Sequence, residues 1–221
     1  MQAIYYGHSC FSLTNENTTI LFDPFLNDNP LAPRKASFVQ ADYILVSHNH
    51  SDHSADTVEI ARKNNSLVIS TFDYISTVQK AGITGHGMNI GGSYQFPFGK
   101  VKLTPAIHSS GMPEGIACGF IVQFFNKTFY FAGDTALFSD MSLIRRYQID
   151  YALLPIGSNF TMDIEDAVEA VKLIQPKKVI PIHYNTWPVI KADPKKFKEL
   201  VEKETAAECL IAPIGEKFSL E

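Results

Sequence analysis

The chain has 221 residues, 45% of them apolar, and its 19 Lys and Arg against 23 Asp and Glu give a formal charge of -4. This size and composition predict a single domain over 1–221 with a sizeable core, and the weakly acidic balance disfavours nucleic-acid and anionic-membrane partners. No apolar run approaches the ~20 residues of a membrane span and no signal-peptide pattern is present, so we expect a cytoplasmic protein with a small-molecule partner.

The first half of the chain predicts strands interrupted by two helices. The strands share short apolar runs and cover residues 2–6, 10–13, 18–22, 43–46 and 67–70. The first three form an antiparallel start, and helices are predicted over 56–63 and 74–80. Segment 27–35 is rich in Asn and Pro, which predicts a surface loop and makes it a candidate lid.

The second half begins with hairpins and ends with alternating strands and helices. One hairpin joins strands 93–96 and 101–107, and the other joins strands 116–125 and 128–132. The remaining elements alternate in type, with strands over 151–154, 178–182 and 209–212 and helices over 164–174 and 194–205. This alternation is typical of βα units, so we predict an α/β fold with mixed sheets.

A compact group of metal-ligand types follows the apolar run 43–46. His48, His50, Asp52 and His53 place three imidazoles and a carboxylate within six residues. Borderline divalent cations such as zinc, manganese and iron prefer these ligands. A solvated turn is the alternative interpretation, but such a turn has no need of three imidazoles. The spacing therefore predicts a metal site.

Further ligand types stand where predicted strands end. His108 follows strand 101–107, Asp134 follows strand 128–132, and His183 follows strand 178–182. Strand ends in an α/β layer form a natural crevice for a ligand. Taken alone, each residue is more typical of a capped or solvated side chain. Taken with the first group, the three predict donors that converge on metal ions.

These motifs, in this order, resemble the metallo-β-lactamase superfamily along the whole chain. A closer similarity, to uncharacterised metal-dependent hydrolases related to the ascorbate-phosphate lactonases, rests on local motifs: Tyr6-Gly7-His8-Ser9-Cys10-Phe11, Asp23-Pro24-Phe25, Ala132-Gly133-Asp134-Thr135 and Pro181-Ile182-His183-Tyr184-Asn185-Thr186. The resemblance implies a four-layer αβ/βα sandwich, with two mixed sheets flanked by helices and the metals at one edge.

The resemblance also implies a ligand set for two divalent ions. His48, His50 and His108 would hold the first ion, and Asp52, His53 and His183 would hold the second, with Asp134 bridging them. Zinc or manganese is favoured, although iron and nickel also suit these donors. Two ions ~3.5–4 Å apart lower the pKa of a shared water, so that a bridging hydroxide can attack a carbonyl or phosphoryl centre. Asp52 is the expected general acid or base.

Several neighbouring residues keep two interpretations. Asp23 is either a partner that orients a ligating imidazole or a turn residue before Pro24. His8 is either a catalytic residue facing the substrate or a hairpin histidine. Asn185 and Thr186 either line the substrate cavity or stabilise their own loop. Tyr184 and Trp187 either form an apolar wall of that cavity or belong to the core.

The leading hypothesis is a metal-dependent hydrolase that cleaves an ester-like bond, a lactone or phosphoester, in a small metabolite. Two alternatives stay open: a phosphodiesterase or nuclease, and a non-catalytic metal-binding protein. His86 matches no motif and is interpreted as a loop residue. Cys10, Cys118 and Cys209 are far apart and odd in number, which predicts reduced thiols rather than disulfides. A homo-oligomer is compatible with the sequence.

Overall fold

The computed structural model describes residues 1–113 and 115–221 and divides the chain into two compact units. The first unit comprises Met1–Gly92, Ser109–Cys118 and Pro213–Glu221, and the second comprises Ser93–His108 and Gly119–Ala212. Each contains one mixed seven-stranded sheet. The single domain over 1–221 stays a prediction.

The sheet of the first unit has the order β14-β1-β2-β3-β4-β5-β6. Its strands are β1 (Gln2–Gly7), β2 (Cys10–Asn15), β3 (Thr18–Phe22), β4 (Tyr43–Leu45), β5 (Leu67–Thr71), β6 (Gly85–Met88) and β14 (Lys217–Ser219). The predicted antiparallel start is confirmed, since β1 pairs with β2 and β2 with β3 in that sense. From β3 to β6 the pairing is parallel, so those strands end at the same edge.

Three helices accompany this sheet: α1 (Ser51–Ser54), α2 (Thr57–Asn64) and α3 (Phe72–Lys80). Ile60 of α2 and Ile75 of α3 are buried in one core cluster with Ile44 and Val68 of the sheet. Burial of each large aliphatic side chain contributes roughly 1.5–3 kcal/mol. These two helices are therefore fixed to the sheet by their apolar faces.

The sheet of the second unit has the order β13-β12-β11-β10-β9-β8-β7. Its strands are β7 (Ser93–Phe96), β8 (Gly99–Pro105), β9 (Cys118–Phe124), β10 (Lys127–Phe131), β11 (Tyr151–Pro155), β12 (Lys178–Ile182) and β13 (Glu208–Cys209). Both predicted hairpins are confirmed, because β7 pairs with β8 and β9 with β10 antiparallel. Strands β10 to β13 are parallel, as the predicted βα units require.

Helices α4 (Ile164–Ile174) and α5 (Pro194–Glu204) accompany the second sheet. Helix α4 begins where the Asp163 side chain accepts a hydrogen bond from the Asp166 amide at 2.8 Å. Its apolar stripe, which includes Ala167 and Val171, is buried in the core cluster that also contains Phe197 of α5. The predicted bounds of α4 and β12 are confirmed.

Six elements were not predicted: strands β6 and β14, helix α1, and the 3₁₀ helices Ala36–Phe38, Ser139–Tyr147 and Pro188–Ile190. The interpretation of His86 as a loop residue is wrong, because His86 lies in β6 and pairs with Ile69. Strand β6 carries two glycines, which lower strand propensity. A Cβ at Gly85 would lie 2.7 Å from Cγ2 of Ile75, so the missing side chain makes room for α3.

Segment 27–35 is more firmly attached than a lid would be. The Asp56 carboxylate accepts hydrogen bonds from the amides of Leu26, at 2.5 Å, and Asn27, at 3.0 Å. The side chain of Asn27 in turn accepts from the Ala36 amide at 3.0 Å. Both ends of the segment are thus tied by side-chain contacts. Across the residues described, no helix is both long and apolar enough to cross a bilayer.

Candidate metal centre

The histidine cluster of the first unit occupies the turn that joins β4 to α1. His48 lies three residues beyond the end of β4, and His50 immediately precedes the first residue of α1. His48 Nε2 lies 2.9 Å from His50 Nδ1, and His53 Nε2 lies 3.8 Å from Asp52 Oδ2. One tight turn thus holds the four donors as two close pairs.

The fully buried carboxylate of Asp23 holds this turn in place through hydrogen bonds. Because β3 and β4 are parallel and in register, Asp23 follows β3 beside the end of β4, where its amide donates to the Leu45 carbonyl at 3.0 Å. Its Oδ1 accepts from the Ser47 amide at 2.7 Å. Its Oδ2 lies 2.7 Å from His53 Nδ1 and accepts from the Ser47 hydroxyl at 2.6 Å.

Ser47 extends this network to a second imidazole. Its hydroxyl donates to Asp23, so the 2.9 Å contact between Ser47 Oγ and His48 Nδ1 is satisfied when His48 Nδ1 carries the proton. Asp23 favours the same Nδ1–H tautomer in His53. Both imidazoles then present Nε2 as the metal-binding nitrogen. One carboxylate therefore orients two imidazoles, one directly and one through a hydroxyl.

The electrostatics of Asp23 reflect opposing causes. Burial raises the pKa of this carboxyl above its ordinary value, and the neighbouring His53 and the Ser47 hydrogen bonds act in the lowering direction. Burial is the larger effect. A cation bound near His53 would oppose this effect, because a nearby positive charge favours the ionised carboxylate.

His8 lies beside the same turn, at the β1–β2 hairpin. Its side chain is fully buried, and its Nε2 lies 3.1 Å from Asp52 Oδ2. The backbone is in the left-handed region, at φ 58°, and the hydroxyl of Tyr5 donates to its carbonyl at 2.8 Å. The ring packs edge-on against Phe25 at a centroid distance of 5.7 Å. These contacts fix the position of the His8 ring. The ring in turn contacts Asp52, whose side chain is 25% exposed.

Segment 109–111 closes against His50 in the first unit. The Asn49 amide donates to the Ser110 carbonyl at 2.8 Å, and Ser109 Oγ lies 3.4 Å from His50 Nε2. A Cβ at Gly111 would lie 2.7 Å from His50 Cδ2, and its φ of 71° favours glycine. Glycine at this position is therefore required for the backbone to approach the imidazole.

The second unit holds three donors on three separate strand ends. His108 follows β8, Asp134 follows β10, and His183 follows β12. Asp134 Oδ2 lies 3.1 Å from His183 Nε2 and 3.5 Å from His108 Nε2. Asp134 and His183 are buried, whereas the His108 side chain is 12% exposed. The shared carboxylate joins the two imidazoles into one group.

The backbone around His183 is tightly constrained. His183 has φ 54°, and a Cβ at Gly157 would lie 2.2 Å from the His183 carbonyl oxygen. The Ile156 amide donates to the Ile182 carbonyl at 3.2 Å, which fixes the end of β12. The absence of a side chain at Gly157 is what lets the loop after β11 pack against His183.

The residues after His183 divide between cavity wall and core. Asn185 Oδ1 accepts from the Ala192 amide at 3.0 Å, so this side chain stabilises its own loop and also lines a surface cavity. Thr186 and Trp187 line the same cavity. Tyr184 is buried in the core cluster of the second unit. Of the two interpretations, Tyr184 therefore agrees with the core and Trp187 with a cavity wall.

The donors of each unit fit a metal ion by type and by spacing. Ligand atoms bound at 2.0–2.1 Å to one tetrahedral ion lie about 3.4 Å from each other. In the first unit the two close pairs are 2.9 and 3.8 Å apart, and in the second unit they are 3.1 and 3.5 Å apart. Imidazoles and carboxylates at this spacing, four of the seven being buried, are typical of metal ligands.

None of the three cysteines belongs to the candidate donor groups of the described residues. Cys10, Cys118 and Cys209 are all free and buried, as predicted. Burial raises the pKa of each thiol above its ordinary value. The donor set is thus nitrogen and oxygen only, which suits hydrated catalytic ions better than closed structural zinc.

Comparison with known proteins places the chain in a family. Residues 18–184 match the beta-lactamase superfamily domain. A UPF0173 metal-dependent hydrolase of Natranaerobius thermophilus is 47% identical over 221 residues, covering 100% of both chains. The chain belongs to the UPF0173 metal-dependent hydrolase family.

Solved structures agree with this membership. Igni18, described as a novel metallo hydrolase from the hyperthermophilic archaeon Ignicoccus hospitalis, is 37% identical to this UPF0173 chain with a TM-score of 0.92, covering 100% of it and 99% of Igni18. The metallo-beta-lactamase fold protein YhfI from Bacillus subtilis is 12% identical, with a TM-score of 0.77 and 98% coverage of each chain, and shows the fold alone. The predicted fold class is confirmed. The relation of UPF0173 to the ascorbate-phosphate lactonases stays a prediction.

Three contributors to the UPF0173 site were missed from the sequence. Ser47 carries no predicted role, although its hydroxyl links Asp23 to His48. Gly111 and Gly157 make room for backbone that packs against His50 and His183. The position of Ser47, adjacent to the first histidine, was the one available signal. Nothing local marks the two glycines.

Proposed function

We propose that this chain is a hydrolase that uses two divalent metal ions to cleave an ester-like bond, a lactone or phosphoester, in a small metabolite. The observation that carries the proposal is the spacing of the donors, since each unit presents imidazole and carboxylate atoms 2.9 to 3.8 Å apart. Membership of the UPF0173 family supports metal-dependent hydrolysis. A small metabolite as substrate, rather than nucleic acid, and a cytoplasmic location belong to the same proposal.

Each donor has a proposed role. His48, His50 and His108 would hold the first ion, Asp52, His53 and His183 would hold the second, and Asp134 would be shared. Zinc or manganese suits these nitrogen and oxygen donors best. His48 and His53 are presented as Nε2 donors by Ser47 and Asp23. Hydrogen bonds within the protein hold both rings in this orientation, which would favour metal binding at Nε2.

When bound, two such ions lower the pKa of a shared water toward neutrality and polarise the bond to be cleaved. Asp52 is the residue that moves protons. Its side chain is 25% exposed, and its Oδ2 lies 3.1 Å from the buried His8 Nε2. One carboxylate oxygen can thus be fixed while the other accepts a proton from water and delivers it to the leaving group. His8 is proposed as the catalytic partner that holds Asp52 in this orientation.

The experiment is a turnover assay on a panel of lactones and phosphoesters, with phosphodiesters included, before and after treatment with chelator. We expect activity on at least one ester-like class, loss of that activity with chelator, and its recovery with zinc or manganese. Metal content measured by elemental analysis should approach two ions per chain.

The panel also separates the alternatives. Activity confined to nucleic-acid phosphodiesters would replace the small-metabolite proposal with a nuclease. Chelator-sensitive metal content without turnover on any substrate would favour a metal-binding protein. Turnover that persists in fully metal-free protein would overturn the metal-dependent mechanism.

A further inference from the structure

A surface cavity of about 860 Å³ lies in the second unit, along the loop that follows β12. Its volume falls within the roughly 300–1,000 Å³ of small-molecule sites. Its lining begins at Asn185, two residues after His183. Because two residues span at most about 7 Å, the Asn185 edge of this cavity lies close to His183 along the chain.

The wall of this cavity is formed in advance. The Asn185 amide donates to the Ile190 carbonyl at 2.9 Å, and Asn185 Oδ1 accepts from the Ala192 amide at 3.0 Å. Ile190 is fully buried and anchors the loop in the protein interior. Both hydrogen bonds thus join the start of the loop, at Asn185, to its end. Binding of a ligand would therefore cost little conformational entropy of this loop.

The lining combines an aromatic ring with one available cation. Trp187 is the single tryptophan of the chain and is half-buried in the wall. Lys191 is exposed, and within the ranges 1–113 and 115–221 its ammonium forms no ion pair. The lining also contains Asp193, but this carboxylate accepts from the Lys195 amide at 2.9 Å and caps α5. The Asp193 carboxylate keeps its charge but has one oxygen engaged by the end of α5, so Lys191 is the cation of the lining that can meet an anionic ligand.

We propose that this cavity binds the anionic end of the substrate, an oxyanion carried on a small apolar frame. The Lys191 ammonium pairs with a phosphoryl or carboxylate group, the Thr186 hydroxyl lines the same wall, and the indole of Trp187 packs against the frame. The proposal rests on the proposed function, because it assigns the non-reacting part of the substrate cleaved at the metal centre.

The single tryptophan makes binding directly measurable without turnover. Phenylphosphonate, whose carbon–phosphorus bond is not an ester, is titrated into the purified full-length chain while Trp187 fluorescence is recorded. We expect a saturable change, with neutral benzyl alcohol binding at least about tenfold more weakly. Lys191→Gln should weaken phenylphosphonate binding roughly three- to tenfold, which is the range of a partly exposed charged hydrogen bond. Lys195→Gln is the matched control, since this neighbouring exposed lysine lies outside the lining.

Benzoate, titrated in the same way, distinguishes a carboxylate from a phosphoryl preference. Equal affinities of the parent chain and Lys191→Gln, or equal losses in Lys191→Gln and Lys195→Gln, would overturn the proposal. So would benzyl alcohol binding as tightly as phenylphosphonate, or no saturable fluorescence change with either anion. Charge-selective binding in a chain that hydrolyses nothing would refute the proposed function and leave this site standing. Metal-dependent hydrolysis in a chain whose Lys191 plays no role in binding would support the proposed function and refute this site.

Discussion

The two units position their candidate metal donors in contrasting ways. The first unit places four donors in one turn of six residues and supports them with a buried carboxylate and hydroxyl. The second unit draws His108, Asp134 and His183 from three strand ends and joins them through the shared oxygen of Asp134. The first group thus depends on residues behind it, whereas the second depends on one member of the group itself. Substitutions should therefore act differently in the two units.

The largest effect is expected for Asp134→Asn in the second unit. The change removes a charge from the oxygen shared by two imidazoles, so we expect metal affinity to fall by more than about 100-fold, beyond the loss typical of supporting residues. Turnover should become undetectable. Competition with a chromophoric chelator measures the affinity, and Asp140→Asn is an exposed control in the same unit. Parent-like metal content in Asp134→Asn would show that the second group does not depend on this carboxylate.

Asp23→Asn tests the support of the first unit. An amide cannot accept from all three donors that face Asp23, so the orientation of His48 and His53 should loosen together. We expect roughly 10–100-fold weaker metal binding, as for other residues that orient ligands. Asp28→Asn, an exposed carboxylate on the neighbouring loop, serves as the control. A loss confined to one ion would argue that Asp23 orients a single imidazole.

Ser47→Ala sharpens the same test. This change removes the link from Asp23 to His48 but leaves the 2.7 Å contact with His53, so about tenfold weaker binding is expected for one ion only. Stepwise metal titration followed by cobalt absorption resolves the two ions. Ser51→Ala, an exposed serine within the same turn, should bind like the parent chain. Equal weakening of both ions by Ser47→Ala would contradict the proposed relay.

The smallest effect is expected for His8→Asn. Asparagine tolerates the left-handed backbone at this position, so the change mainly removes the 3.1 Å contact with Asp52. We expect kcat to fall up to about tenfold, less than for loss of an acid–base group, with metal content unchanged. His86→Asn, in β6, is the control for loss of a histidine. A fall in metal content would instead identify His8 as a ligand.

The same contrast explains what the sequence could predict. The donors of the first unit were recognisable because His48 to His53 are neighbours in the chain, and spacing alone marks them. His108, Asp134 and His183 were recognisable because each follows a clear apolar strand, and because their order resembles a known superfamily. Helix α4 was predicted with its bounds since its apolar face repeats at helical spacing.

The remainder depends on tertiary packing that no local pattern records. Strand β6 was missed because its two glycines serve the approach of α3 rather than strand propensity. The role of Ser47 depends on the register of β3 with β4, which brings Asp23 beside it. Gly157 matters only because a carbonyl of His183 lies where its side chain would be. Residues that leave space are harder to recognise than residues that carry chemistry.

The three buried cysteines have a practical consequence. Their thiols lie in the protein interior, and burial raises the pKa of Cys209 to about 12, so little thiolate exists at neutral pH. Thiol-directed reagents should therefore leave the folded chain almost unmodified. A cysteine introduced on the surface would become a unique attachment point for a spectroscopic label, with no need to remove the natural ones first.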